Sequence, residues 1–105
     1  MARYAFRLRI RAGAIEENEQ AHKAVWPELL AKIKEVGISK YSIFRRDQDL
    51  FLFMHIEDFD RAWDELAKDP VNQRWQKEMG RLFEPVPDQK PGERFAITKE
   101  VFYLE

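Results

Sequence analysis

An α+β fold on the ferredoxin-like plan, with four antiparallel strands and helices on one face, is what this sequence predicts. Three observations carry it. Residues 4–10 (YAFRLRI) alternate apolar and polar in the rhythm of a half-buried strand. Residues 50–57 (LFLFMHIE) form a near-continuous apolar run fit for a central strand. Two helical stretches, each restarted by a proline, separate the extended segments in the order β-α-β-β-α-β.

In the first strand Tyr4, Phe6, Leu8 and Ile10 take one face, and Ala5, Arg7 and Arg9 the other. Gly13 closes it. Residues 14–25 read as helix, with Glu16 and Glu17 in an acidic first turn that suits the positive end of the helix dipole. Pro27 restarts the helix at its first position, where its missing N–H has no cost. Leu29, Leu30, Ile33 and Val36 supply the apolar stripe, and Gly37 stands where a capping glycine belongs.

Residues 39–46 (SKYSIFRR) read as the second strand, Asp47-Gln48-Asp49 as a hairpin turn, and 50–57 as the third strand. Helical periodicity resumes at Asp58 or Asp60 with Ala62, Trp63, Leu66 and Ala67. Asp69-Pro70 gives an N-cap followed by proline at the first helical position. Val71, Trp75, Met79 and Leu82 form the last stripe. Residues 85–93 (PVPDQKPGE) are a proline-containing loop, and 95–104 (FAITKEVFYL) are expected as the fourth strand.

The 105 residues suit a single domain spanning 1–105. A formal net charge of −1 provides no field to recruit nucleic acid or an anionic membrane. Disulfides and thiolate sites are excluded, since there is no cysteine. The opening MARYAFRLRI has no apolar signal core, and no apolar run is long enough to span a bilayer, so a cytoplasmic protein is expected. Eight Phe, three Trp and three Tyr are more than one small core readily buries. The surplus is expected in a pocket or between subunits, and the uncovered sheet face is best closed by a second copy of the same sheet.

The stretch HKAVWPEL at 22–29 is the most informative. His22 is one of two histidines, and histidine alone titrates near neutrality when unperturbed. Trp26 follows at i+4, on the same face if the segment is helical. His22 is the candidate proton carrier, weighed against a helix histidine with no role. Trp75, flanked by Gln73, Arg74 and Gln76, combines a flat apolar face with hydrogen-bonding groups, as a sugar pocket does. Trp63 falls on an apolar stripe and reads as core. Tyr41 either meets a substrate or packs at the sheet end. His55, opposite in parity to Leu52, Met54 and Ile56, reads as a histidine satisfied on the sheet face. Arg7, Arg9, Arg11, Arg45 and Arg46 read as ion-pair partners of Glu57, Glu100 or a partner subunit. The two histidines lie on different elements with no ligand spacing, so no metal site is expected.

HKAVWPEL at 22–29, Gly37, Tyr41, NQRW at 72–75 and EVFYL at 100–104 occur in the order seen in the L-rhamnose mutarotase family, which the chain resembles over nearly its whole length. The resemblance implies a homodimer of dimeric α/β-barrel type, no metal or cofactor, and interconversion of the α and β anomers of a free aldose. It implies a catalytic role for His22 and substrate contacts for Tyr41, Trp75 and Gln76. To these the reading adds Asn18 and Trp26. Two positions differ from the family pattern: Asn18 stands where a tyrosine is common, and Gln76 where a second tryptophan is. These amides leave L-rhamnose, L-fucose, another 6-deoxy sugar and a uronate as substrate readings. A cofactor-free monooxygenase and a non-catalytic ligand-binding domain are the readings from other classes.

Overall fold

A computed structural model describes residues 2–105. β1 (Ala2–Ile10) is followed by a 3-10 turn (Ala12–Ala14), then α1 (Ile15–His22), α2 (Pro27–Glu35), β2 (Ile38–Arg46) and β3 (Asp49–Ile56). Two further helices, α3 (Phe59–Lys68) and α4 (Pro70–Gly80), precede two short strands, β4 (Phe83–Glu84) and β5 (Ala96–Thr98). The sheet runs β2-β3-β1-β4, all antiparallel, with β5 also on β1.

The alternation read in the sequence sets the layers. Phe6 and Ile10 of β1 and Leu50, Leu52, Met54 and Ile56 of β3 are buried under the helices. Each such side chain contributes about 1.5–3 kcal/mol by leaving water. Phe59, Ala62 and Leu66 of α3 and Met79 of α4 complete the core. Asp58 caps α3 by accepting from the Arg61 N–H at 3.1 Å, and Asp69 caps α4 by accepting from the Asn72 N–H at 3.0 Å. Gly37 takes φ 96° just past α2, a backbone state that glycine reaches without strain.

Three expectations are corrected. Helix over 14–25 is too long: α1 ends at His22, and Trp26 is the N-cap of α2. Val25 and Trp26 precede Pro27, which disfavours helical backbone in the residue before it. Trp26 is therefore not presented from the same helical face as His22. The fourth strand over 95–104 shrinks to Ala96–Thr98, and residues 99–105 have no regular structure. Its missing part on β1 is supplied by Phe83–Glu84, pairing with Arg9 and Ile10. The arginines of β1 also find other partners. Arg7 pairs with Asp88, Arg9 with Asp49 and Glu84, and Glu100 goes to Arg3 at 2.8 Å.

β2 holds an irregularity that positions the site. Ser39 is opposite His55 and Ser42 opposite Phe53, so Lys40 and Tyr41 together face a single residue, Met54. This β-bulge shifts the strand by one residue. Ile38 and Ile43, at an odd separation, both end on the helix-covered face, opposite Ile56 and Leu52. Lys40 carries the bulge with φ 49°.

Candidate active site

A cavity of about 790 Å³ opens between the sheet and the helices. α1 contributes His22, α2 contributes Leu29, Leu30, Ile33 and Lys34, and α3 contributes Trp63 and Leu66. β2 contributes Ile38 through Tyr41 and Ile43, and α4 contributes Asn72, Trp75 and Gln76. Glu57, just past β3, also lines it.

His22 occupies the last turn of α1, where the backbone carbonyl of Asn18 lies one turn back. Its Nδ1 is 2.9 Å from that oxygen. A carbonyl oxygen only accepts, so Nδ1 carries the hydrogen, and in the neutral ring Nε2 holds the lone pair. The helix thus sets the tautomer of a proton acceptor on the wall of the cavity. α1 is held from two sides: Glu19 accepts from Arg45 of β2 at 2.9 Å, and Glu17 pairs with Arg81 after α4. The Arg81 guanidinium holds the Glu17 carboxyl below its usual range.

Trp75 is the hub of the aromatic groups. His22 meets it edge-on at 6.2 Å between ring centroids, and Trp26 meets it edge-on at 5.1 Å. The Arg74 guanidinium covers Trp26 at 4.9 Å. Asn72, one turn before Gln76, is buried and donates to the Leu66 carbonyl at 2.8 Å, while Gln76 reaches its side-chain oxygen at 3.4 Å. Tyr41 is half-buried on the cavity wall, and its desolvation raises the phenol well above the ordinary tyrosine value. It is therefore a neutral hydrogen-bond donor throughout the physiological range.

The structure brings His22, Tyr41, Trp75 and Gln76 to one cavity. Two residues taken as substrate contacts stand elsewhere. Asn18 is only 3% exposed and outside the lining. Its side-chain Nδ2 is buried without a partner, and its backbone carbonyl is the part that meets His22. Trp26 packs edge-on against Trp75 and is not part of the lining, α1 having ended before it.

Trp63, read as core, does pack edge-on against Phe6 and Phe95, yet it also lines the cavity. Asn72, Lys40 and Glu57 were not singled out as site residues. The only signal for the β2 residues was the odd spacing of Ile38 and Ile43, which an unbulged strand would place on opposite faces. His55 sits on the open face of the sheet beside Phe53, with ring centroids 5.6 Å apart.

Fold and site together define a ferredoxin-like α+β protein whose cavity joins indole faces to imidazole, phenol and amide groups, the mixture that a small polyhydroxylated ring requires. Comparison with known proteins gives the particular family. The profile described as L-rhamnose mutarotase matches residues 3–104, and the chain belongs to that family, a group of carbohydrate-acting isomerases. It is 39% identical to the L-rhamnose mutarotase of Opitutus terrae and 37% identical to that of Salmonella newport, in each case over the full length of both chains. Among solved structures, an L-rhamnose mutarotase from Formosa agariphila superposes with a TM-score of 0.81 at 29% identity, each chain being covered completely. Tetracenomycin F2 cyclase from Streptomyces glaucescens superposes with a TM-score of 0.70 at 19% identity, covering 100% of this chain and 97% of the cyclase, a likeness of fold alone.

Proposed function

We propose that this protein interconverts the α and β anomers of free L-rhamnose, with His22 as the proton carrier. One observation carries the reading: the Nδ1 bond to the Asn18 carbonyl leaves Nε2 of a cavity-lining imidazole as the basic atom, in a chain of the L-rhamnose mutarotase family.

Mutarotation needs one proton moved and one C–O bond broken and remade. His22 takes the C1 hydroxyl proton at Nε2 while the C1–O5 bond breaks, and its electron pair stays on O5. The Tyr41 phenol donates a hydrogen bond to that oxygen, and the imidazolium returns the proton to it. The open-chain aldehyde turns about C1–C2, and the same steps in reverse close the ring on the other face of C1. Trp75 packs on the C–H face of the sugar, and Gln76 holds a hydroxyl.

The chain works as a single domain, residues 1–105, in the cytoplasm, as a homodimer closed through its sheets. It acts on a monosaccharide, with no cofactor and without nucleic acid or membrane as partner. The open sheet face supports the dimer: Phe44 is 63% exposed and Phe51 41%, beside Phe53. Among the described residues no helix is long and apolar enough to cross a membrane.

Saturation transfer between the anomeric protons of L-rhamnose tests the assignment. His22→Ala is expected to slow the catalysed exchange by about 10²–10⁴-fold, the usual worth of positioned proton transfer, with its melting temperature kept. A folded variant as fast as wild type ends the role given to His22.

A further inference from the structure

The bulge in β2 places a second functional side chain beside Tyr41. In a regular strand neighbouring residues face opposite sides, so Lys40 and Tyr41 would not share one wall. Here both line the cavity, because Lys40 and Tyr41 together oppose Met54, a residue of the helix-covered face. Lys40 makes this possible by adopting φ 49°, a left-handed state in which a side-chain Cβ is strained. Glycine would form the same bulge without that penalty. The chain instead carries there a side chain with three N–H donors and no acceptor. Its ammonium makes no ion pair among the described residues, so its donors are uncommitted.

We infer that Lys40 is a substrate-binding residue that determines specificity, donating hydrogen bonds from the bulge to an oxygen of the bound aldose. This rests on the reading of the cavity as a mutarotase site. On the β2 wall the Lys40 amine and the Tyr41 phenol stand between Ile38 and Ile43, whereas α2 and α3 supply Leu29, Ile33 and Leu66 beside Lys34. The pyranose thus turns one oxygen toward the Lys40–Tyr41 edge of β2, while His22 of α1 and Gln76 of α4 meet other oxygens of the ring. A donor-only amine selects aldoses that present an oxygen at this edge.

The test compares Lys40→Gly, Lys40→Met and Lys40→Arg with wild type. Lys40→Gly removes the amine and the backbone strain together, so it folds at least as well as wild type, and its thermal melt checks this. With L-rhamnose its KM for anomer exchange is expected to rise about tenfold, the worth of a hydrogen bond from a charged donor, with kcat changing less. Lys40→Met shows the same rise, and Lys40→Arg restores most of the wild-type KM. A stable Lys40→Gly with unchanged KM overturns the assignment.

Titration of tryptophan fluorescence with L-rhamnose separates this inference from the mutarotase reading. Equal affinity of wild type and Lys40→Gly overturns the role of Lys40, whatever the exchange rate. Wild type that binds the sugar without accelerating exchange, with affinity lost in Lys40→Gly, overturns the mutarotase reading and leaves Lys40 as a binding residue. Wild type that neither binds nor exchanges the sugar overturns both.

Discussion

Trp26 stands edge-on to Trp75, with ring centroids 5.1 Å apart and planes at 85°. The two indoles come from elements distant in sequence, the cap of α2 and the middle of α4. The positive edge of one ring meets the negative face of the other, and such pairs are worth about 0.5–1.5 kcal/mol beyond the area that they bury. Trp26 thus orients Trp75 without itself lining the cavity. Trp26→Ala is expected to raise KM for the sugar several-fold, up to about tenfold, with kcat changing less. Exchange rates measured over a range of sugar concentrations check this, and an unchanged KM removes Trp26 from the positioning of Trp75.

The desolvated phenol of Tyr41 predicts a loss of stability in alkali. Its folded pKa lies above the unfolded value near 10, so its contribution is fully present below about pH 10 and is lost as pH rises toward the folded pKa. Within that window the native state holds a proton that the unfolded chain has released. Stability therefore falls by about 1.4 kcal/mol per pH unit from this group alone. Denaturant unfolding from pH 9 to 11 should show that slope reduced in Tyr41→Phe. Phenolate absorbance offers a second measurement, in which this tyrosine ionises only as the fold is lost. An identical pH slope in both proteins would remove the desolvated-phenol account.

The open sheet face yields a prediction about assembly. Phe44 is opposite Phe51 across β2 and β3, and both rings are exposed in the single chain. Phe44→Glu places a carboxylate where a second sheet would pack, and burying that charge without a partner is unfavourable. Light scattering after gel filtration is expected to give a dimer for wild type and a monomer for Phe44→Glu, with unchanged circular dichroism. A wild-type monomer at micromolar concentration would remove the closed-barrel arrangement.

The helix-facing residues of β1 and β3 were legible because alternation is a local property: a one-residue slip would expose Leu52 and Met54 together. The caps at Asp58 and Asp69 were legible for the same reason, since an N-cap bonds residues only a few positions ahead. The bulge at Lys40-Tyr41 left only the odd spacing of Ile38 and Ile43 as a local trace. Neither residue is glycine, and the register against Met54 is what fixes its place.

The split last strand escaped the sequence as well. FAITKEVFYL has good strand composition, but only Ala96–Thr98 pairs with Arg7, Phe6 and Ala5, while Glu84 and Phe83 take the places beside Arg9 and Ile10. Strand composition describes what fits a sheet and leaves open which segment reaches a free edge.

The sequence by itself determined the layer order, the apolar face of each element and the choice of His22, Tyr41 and Trp75 as the residues of interest, because period and residue chemistry are written along the chain. Tertiary structure decided that the Asn18 carbonyl meets His22 Nδ1, that Trp26 packs edge-on against Trp75, and that Lys40 shares a wall with Tyr41. Each depends on where a helix stops or a strand gains a residue. Those points are settled by packing against segments far away in the chain, whose positions no local pattern encodes.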